Sequence, residues 1–546
     1  MGIRVAVALF TLVLVRPAAA QTTSNLLANP SLETAINGHP AYWYSNRYGP
    51  NNAAFFYPVP GFQSPTGARV TITQYESGDA KWFPAPVSVA GLTHYRFSDI
   101  YVSSGPSSVV LEYGTVGGGR RYQWLRDLGP TSTPQKVDLL FTTPADVTTV
   151  IPYHALVGAG SLTIDQVSLE RAPGSALFEQ AMITLRFDDS WRSIYRNAIP
   201  ILERAGFPST QYVITKYANG MDVDYYGKLE WLSLLARGHG VESHTESHPS
   251  LPTLFPDPLW DEVAGSRNAL LAAGVWPAAT IAYPRGEFND TVIQAVRDAG
   301  YAAGLGTREG YIDKDTDRFQ LPCENIRSDT PPETVHSWID QAVADRKWLV
   351  LTFHQIRDDG IGTPYSATTA LLQDVVDYLR SRQVKVVTVS EGLTKMGVLP
   401  NLAPRNIAVS PSPSSSPAGV ARTITGVYSD ANGAGDLAQA TLRVGSTNSN
   451  GLYCYCDPIN NRLWLLSNSG YVGGFAPGSA HIIFSSQGSL DCSRTTVWRL
   501  GNTLTVNWRI TPAPSFVGTR SLCLFVRDRA NLNGGLVSMG TWTITR

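Results

Sequence analysis

Two adjacent carboxylates close an apolar run in Leu185-Arg186-Phe187-Asp188-Asp189-Ser190. Neighbouring residues at a strand end point to different sides, so one aspartate can face a metal while the other faces substrate or water. The same pair can instead serve a helix start, with Asp189 or Ser190 as N-cap. A second cluster, Glu242-Ser243-His244-Thr245-Glu246-Ser247-His248, spaces two imidazoles four residues apart directly after a predicted strand. That spacing lets both converge on one ion, and histidine is the commonest nitrogen ligand of Zn²⁺. Thr245 and Ser247 stand where zinc-peptidase helices carry their glutamate, so this is not a zincin or inverzincin. A third apolar run ends in a titratable residue, at Phe353-His354, and a fourth enters the Pro/Gly loop Tyr283-Pro284-Arg285-Gly286, whose N–H groups could line a pocket. One carboxylate and two histidines leave a coordination position for water, and a spare aspartate and histidine remain for proton transfer. This is the inventory of metal-assisted hydrolysis.

The elements that must carry these residues alternate. Between about 178 and 397 the pattern runs strand, helix, strand: 183–187, 194–205, 211–215 and 229–236, continuing to 384–389. Repeated βα units imply a parallel sheet, open or closed into a barrel, with active-site loops at the strand ends. Before it, residues 21–172 alternate short β-rich runs with Gly, Pro, Ser and Asn turns, the pattern of an all-β sandwich. After it comes the Pro/Ser-rich stretch 401–420, read as a linker, and then a second all-β module over 421–546.

In order and context these segments resemble the polysaccharide deacetylase family, carbohydrate esterase family four, over about 173–400. The resemblance implies a distorted (β/α) barrel. It also implies Asp188 as catalytic base, Asp189, His244 and His248 as metal ligands, and His354 as general acid. The implied cofactor is one divalent ion, Zn²⁺ with Co²⁺, Ni²⁺ or Mn²⁺ as alternatives, and the Tyr283–Gly286 loop would offer oxyanion and substrate contacts. Departures exist. The family's third motif commonly starts with an arginine that holds the base, where this chain has Ala282. Arg285 is too displaced to replace it, Ser190 stands where Gly is frequent, and only Trp338 and Trp348 are available for the Asp/Trp motif before the last histidine.

The flanks resemble accessory modules. The Asn29-Pro30-Ser31-Leu32-Glu33 start and the 164–169 close of the first are similar to carbohydrate-binding jelly rolls. Trp43, Tyr44, Trp82 and Trp124 are candidate sugar platforms, although aromatics commonly fill sandwich cores. Glu33 and Asp165 are candidate ligands for a structural Ca²⁺. The last module resembles Ig-like sandwiches of secreted bacterial proteins. Its four cysteines, Cys454, Cys456, Cys492 and Cys523, are disulfide candidates of open connectivity, while Cys323 stands alone.

The basic Met1-Gly2-Ile3-Arg4 start, the apolar run 5–15 and Ala18-Ala19-Ala20 read as a signal peptide over 1–20, which predicts a secreted, extracellular or periplasmic protein without a membrane span. With 43 Lys+Arg against 44 Asp+Glu, nothing in the total favours nucleic acid. Two classes of function follow. The first is a metal-dependent deacetylase removing N-acetyl or O-acetyl groups from a polysaccharide of the chitin, peptidoglycan, poly-N-acetylglucosamine or acetylxylan type. The second is a non-catalytic carbohydrate- or cell-wall-binding protein that keeps the fold. An amidase or esterase on a non-sugar substrate would use the same site.

Overall fold

A computed structural model describes residues 25–360, 362–445, 451–467 and 470–546. The expected signal peptide lies outside them. Among the described residues no helix is long and apolar enough to cross a membrane.

The first part is two antiparallel sheets face to face. One runs from Arg120–Leu128 through Ser107–Thr115, Val147–Leu156 and Asp79–Pro84 to Trp43–Tyr48. The other runs from Thr131–Thr142 through His94–Ser103, Gly160–Arg171 and Thr66–Tyr75 to Asn51–Pro60. Inward residues of both meet in one core that includes Trp43, Trp82, Phe97, Tyr113 and Phe141. Two of the expected sugar platforms, Trp43 and Trp82, are therefore core residues, whereas Tyr44 and Trp124 are exposed. The calcium expectation is replaced by another role. Asp165 Oδ2 accepts the backbone N–H groups of Phe62, Gln63 and Ser64 at 2.8, 3.0 and 3.1 Å, and Oδ1 accepts the Ser64 hydroxyl and the Gln166 N–H. Glu33 Oε1 accepts the Thr66 N–H at 2.8 Å. These carboxylates organise a turn with their lone pairs and need no ion to do so.

The middle part has a parallel eight-stranded sheet. Its order is Ala303–Leu305, Thr280–Ala282, Gly240–Ser243, Thr210–Val213, Met182–Phe187, Trp348–Phe353 and Glu324–Asn325, with Lys385–Val386 also on Met182–Phe187. The sheet curls, and its two edges meet through the bridge Leu305 to Leu321 and the bonds Gly304 N–H to Arg318 O and Cys323 N–H to Arg308 O. Its strands are buried on both faces and read as continuous apolar runs, as parallel strands must. Helices Asp290–Asp298, Thr369–Ser381 and Val389–Met396 start on the side-chain caps Asn289, Thr368 and Thr388. Phe187 pairs with Phe353 in register and their rings stack at 5.3 Å. The next residues, Asp188 and His354, therefore leave the same sheet edge side by side.

The last part is again a two-sheet sandwich, and it begins earlier than expected. The stretch read as a linker is folded into it. Arg405–Ser410 pairs antiparallel with Arg422–Ser429, and Ser414–Pro417 pairs parallel with Val537–Thr545. The prolines sit between and at the ends of edge strands, where a missing N–H is tolerated, and the serines are engaged: Ser412 Oγ accepts the Thr541 N–H and Ser416 Oγ the Trp542 indole N–H. The expected disulfides are also absent. Cys454, Cys456, Cys492 and Cys523 are free buried thiols, as is Cys323. Cys454 and Cys456 face the same core as Leu442 and Leu465. Burial pushes the Cys456 thiol up to about 12, so these residues act as small apolar side chains.

Asp165 gives the fold a test. Asp165→Ala should leave three backbone N–H groups of the 62–64 turn without their acceptor and lower stability by about 1–3 kcal/mol, read by chemical denaturation. Burial alone would raise the Asp165 carboxyl, but the Ser64 hydroxyl and the three amides outweigh it and hold it below its ordinary 3.8. The stabilisation should therefore be full above that ordinary value and drain away as pH falls through the lower folded one. A denaturation midpoint unchanged by Asp165→Ala would contradict this role.

Candidate metal and catalytic centre

The residues singled out in sequence meet at the C-terminal edge of the parallel sheet. Asp189 Oδ1 stands 3.3 Å from His244 Nε2 and 3.5 Å from His248 Nε2, and the three donor atoms lie within 4.8 Å of one another. His244 Nδ1 contacts the Ala282 carbonyl at 2.8 Å, which fixes the proton there and leaves Nε2 with its lone pair toward the cluster. Asp189 Oδ2 accepts the Trp191 indole N–H at 3.0 Å. One carboxylate oxygen and two imidazole nitrogens in this arrangement fit a divalent ion such as Zn²⁺, with Asp189 and His244 each oriented by a second partner.

Electrostatics agree with that division. Burial opposes ionisation of Asp189, yet the hydrogen bond and charge of His244, with His354 and His248, hold its carboxyl well below the usual range. Burial, and next the charge of His244, push His248 down to about 4, so its nitrogen is unprotonated at neutral pH.

Local backbone is strained around the ligands. Asp189, Ser190, Thr245 and His248 have φ of 74°, 62°, 65° and 66°, a region that disfavours side chains with a Cβ. This explains why glycine suits position 190. Here Ser190 is buried, and its Oγ accepts the Ile214 N–H at 3.0 Å, a bond that glycine could not make. In the histidine loop, Ser243 Oγ accepts the Thr245 N–H and Thr245 Oγ1 accepts the His248 N–H at 3.0 Å, winding His248 back toward His244.

Asp188 is buried beside the triad, and its partner is one that the sequence reading passed over. Arg186 grips it with both arms of the guanidinium, Nε to Oδ1 at 2.8 Å and Nη2 to Oδ2 at 2.5 Å, while Nη1 donates to the Gly306 carbonyl at 2.9 Å. Arg186 is fully buried over the Tyr212 ring. The arginine missing at Ala282 is thus supplied from the first strand. The signal was present: residues two apart on a strand share a face, and an arginine inside an apolar run needs a buried anion. Arg285 does not take that role. It is exposed and has φ of 58°, and its charge adds to the factors disfavouring protonation of His248.

His354 is half-buried, 5.3 Å from the Tyr365 ring, and its Nδ1 is enclosed without a hydrogen-bond partner. Burial holds it below its ordinary value against the opposing pull of Asp189 and Asp188. In the Tyr283–Gly286 loop, Tyr283 N–H is committed to Leu305 O and Gly286 N–H to Tyr283 O. Pro284 has no N–H, so only Arg285 can offer one from this loop. Trp348 is a core residue that donates to Thr184 Oγ1, and Trp338 packs against the core. On the other side of Asp189, Trp191, Tyr225 and Tyr217 stack in succession, at 4.6 and 3.8 Å between centroids, and all three are half-buried. A cavity of about 690 Å³ extends from Ser250, Gly286 and Thr307 to Asp127 and Leu128 of the first sandwich.

Two outcomes follow from this geometry. The purified protein should bind one equivalent of Zn²⁺ by elemental analysis, and His244→Ala or Asp189→Asn should weaken that binding by at least ~10²-fold, since two donors cannot hold what three do. Arg186→Ala should leave the buried Asp188 charge unpaired and destabilise the protein by about 3–5 kcal/mol. Retained Zn²⁺ affinity in the triad variants would contradict the first, and an unchanged denaturation midpoint the second.

Residues 177–304 match the model of the polysaccharide deacetylase family. A putative polysaccharide deacetylase, YxkH of Bacillus subtilis, is 26% identical over 164 residues, 30% of this chain and 58% of that protein. A poly-beta-1,6-N-acetyl-D-glucosamine N-deacetylase of Staphylococcus aureus is 25% identical over 173 residues, 30% of this chain and 60% of that protein. The chain thus spans somewhat under two thirds of the length of these curated relatives. Among solved structures, the Streptococcus pyogenes deacetylase PplD is 28% identical, with a TM-score of 0.28, covering 29% of this chain and 69% of that one. The family model spans the Asp188-Asp189 and His244/His248 segments, so it is this part of the chain that is similar to polysaccharide deacetylases.

Proposed function

We propose that this protein is a secreted, divalent-metal-dependent deacetylase that hydrolyses N-acetyl, or O-acetyl, groups of a polysaccharide. The observation that carries the reading is the strand register that brings Asp188 and His354 out beside the Asp189, His244 and His248 cluster, with Asp188 fixed by Arg186.

In this reading Asp189, His244 and His248 hold the ion, which supplies Lewis acidity toward the acetyl carbonyl and the attacking water. Asp188 accepts the proton of that water as its oxygen joins the acetyl carbon. Both Asp188 oxygens are tied to Arg186, which fixes the carboxylate while leaving further lone pairs for the incoming proton. The Arg285 N–H is the donor that this loop has left for the developing oxyanion. As the carbon–nitrogen bond breaks, His354 delivers a proton to the departing amine, and acetate and a free amino sugar result. An O-acetyl substrate differs only in its alcohol leaving group.

Several features suit a carbohydrate. The Trp191, Tyr225 and Tyr217 stack presents flat apolar faces beside the site, and sugar rings pack on such faces. The cavity shared with the first sandwich gives a polymer room beyond one residue. On the outer face of that sandwich, exposed Tyr48, Tyr122 and Trp124 line a further cavity of about 750 Å³. This supports an accessory sugar-binding role for the first module, with exposed Tyr44 nearby in sequence, and a structural or wall-anchoring role for the last.

The test is acetate release from N-acetylglucosamine oligomers of β-1,4 and β-1,6 linkage, from peptidoglycan and from acetylxylan, with chelator and with Zn²⁺ restored. Chelation should abolish release and Zn²⁺ should restore it. Asp188→Asn should lower turnover by roughly 10²–10⁴-fold while Zn²⁺ stays bound. His354→Ala should lose far more against an N-acetyl sugar than against an aryl acetate, whose leaving group needs no proton. No acetate from any of these substrates, or an Asp188→Asn protein as active as wild type, would overturn the reading in favour of a binding protein that keeps the fold.

A further inference from the structure

A second group of converging donors lies far along the chain from the first. Asp430 follows the Arg422–Ser429 strand, Asp436 lies in the loop after it, and Asp528 ends the Gly518–Asp528 strand, and each brings a carboxylate oxygen within 4.8 Å of the other two. Asp430 and Asp528 are buried and Asp436 is half-buried. Asp528 is provided with donors, from Leu532 N–H at 2.8 Å and Asn401 Nδ2 at 3.1 Å. Asp430 is not. Its Oδ1 accepts the Asn432 N–H at 2.8 Å, but Oδ2 is enclosed with no donor at all.

A buried carboxylate oxygen without a donor, grouped with two further carboxylates, is met by a shared proton or by a cation, and three carboxylates together carry more charge than one proton offsets. Arg529 and Lys395 are the cations nearest Asp436, yet neither forms an ion pair with the group among the described residues. Every donor in the cluster is a hard oxygen, which selects an alkaline-earth ion over Zn²⁺. Ca²⁺ accepts six to eight oxygens in flexible geometry, whereas Mg²⁺ demands a near-ideal octahedron and keeps several waters, so carboxylates brought together from three separate positions suit Ca²⁺.

The surroundings say what such an ion would do. Asn432, between the first two aspartates, donates through Nδ2 to Thr394 Oγ1 and the Pro400 carbonyl, and its Oδ1 accepts the Leu402 N–H at 2.9 Å. Thr394 belongs to the Val389–Met396 helix of the middle domain, and Asn401 reaches Asp528 itself. The three carboxylates therefore sit where the last sandwich meets the end of the middle domain. We propose that Asp430, Asp436 and Asp528 bind Ca²⁺ and that this ion fastens the C-terminal sandwich to the deacetylase domain.

The full-length protein, saturated with Zn²⁺ and dialysed free of Ca²⁺, is titrated with CaCl₂ by calorimetry and followed by thermal unfolding. The expected result is one Ca²⁺ per chain with a Kd on the order of 10⁻⁴ M or tighter, and a rise in unfolding temperature. Asp436→Asn, at the half-buried position, should weaken binding about tenfold or more and remove the thermal shift, whereas Asp189→Asn should leave Ca²⁺ binding unchanged. No binding at millimolar Ca²⁺, or binding unaltered in both Asp436→Asn and Asp430→Asn, would overturn the assignment. None of these readouts involves acetate release, so the proposal stands or falls apart from the enzymatic one.

Discussion

The buried ion pair between Arg186 and Asp188 is the constraint around which the centre is arranged. An arginine with no solvent exposure is tolerable only where its charge and its donors are all met. Here Asp188 takes two arms, the Gly306 carbonyl takes a third, and the Tyr212 ring covers the face. The two partners are two residues apart, Arg186 within the Met182–Phe187 strand and Asp188 directly after it, so the pair is local in sequence. The strand in turn is locked between Thr210–Val213 and Trp348–Phe353. The geometry of Asp188 is thereby inherited from the central sheet.

Much of this was legible from the chain alone. Apolar runs ending in Asp188-Asp189 and in Phe353-His354, and the predicted strand before His244, carry their own architectural meaning, because parallel strands deliver their last residues to one edge. What was not legible shares a common feature, the dependence on long-range partners. Nothing local in Tyr283–Gly286 reveals that two of its N–H groups are already bonded, one across strands to Leu305 and one within its own turn. Nothing near Asp165 reveals that residues a hundred positions earlier wrap their amides around it. The Pro/Ser stretch misled for the complementary reason. Composition reports what a segment cannot do alone, and an edge strand is held by its neighbour.

The cysteines make the same point energetically. Four thiols in one module suggest covalent staples, yet a sandwich of this size can close its core by burial alone. Cys454 and Cys456 alternate inward beside Leu442 and Leu465 and contribute as apolar groups do. The core is complete without a bridge.

The departures from the family pattern are also not independent of one another. Moving the base-holding arginine from the fourth strand of the sheet to the first frees position 282 for a small residue, and Ala282 there offers its carbonyl to His244 Nδ1 while its side chain packs in the core. Replacing glycine by Ser190 keeps the left-handed turn that swings Asp189 toward the histidines, and the hydroxyl ties that turn to Ile214, at the end of the neighbouring strand. In each case the changed residue brings a contact of its own, Arg186 to Asp188 two residues further along and Ser190 to Ile214 beside the neighbouring strand. His354 is the exception. Its Nδ1 has no hydrogen-bond partner, so this imidazole is oriented by packing, and the charges of Asp189 and Asp188 favour its protonated form against the effect of burial.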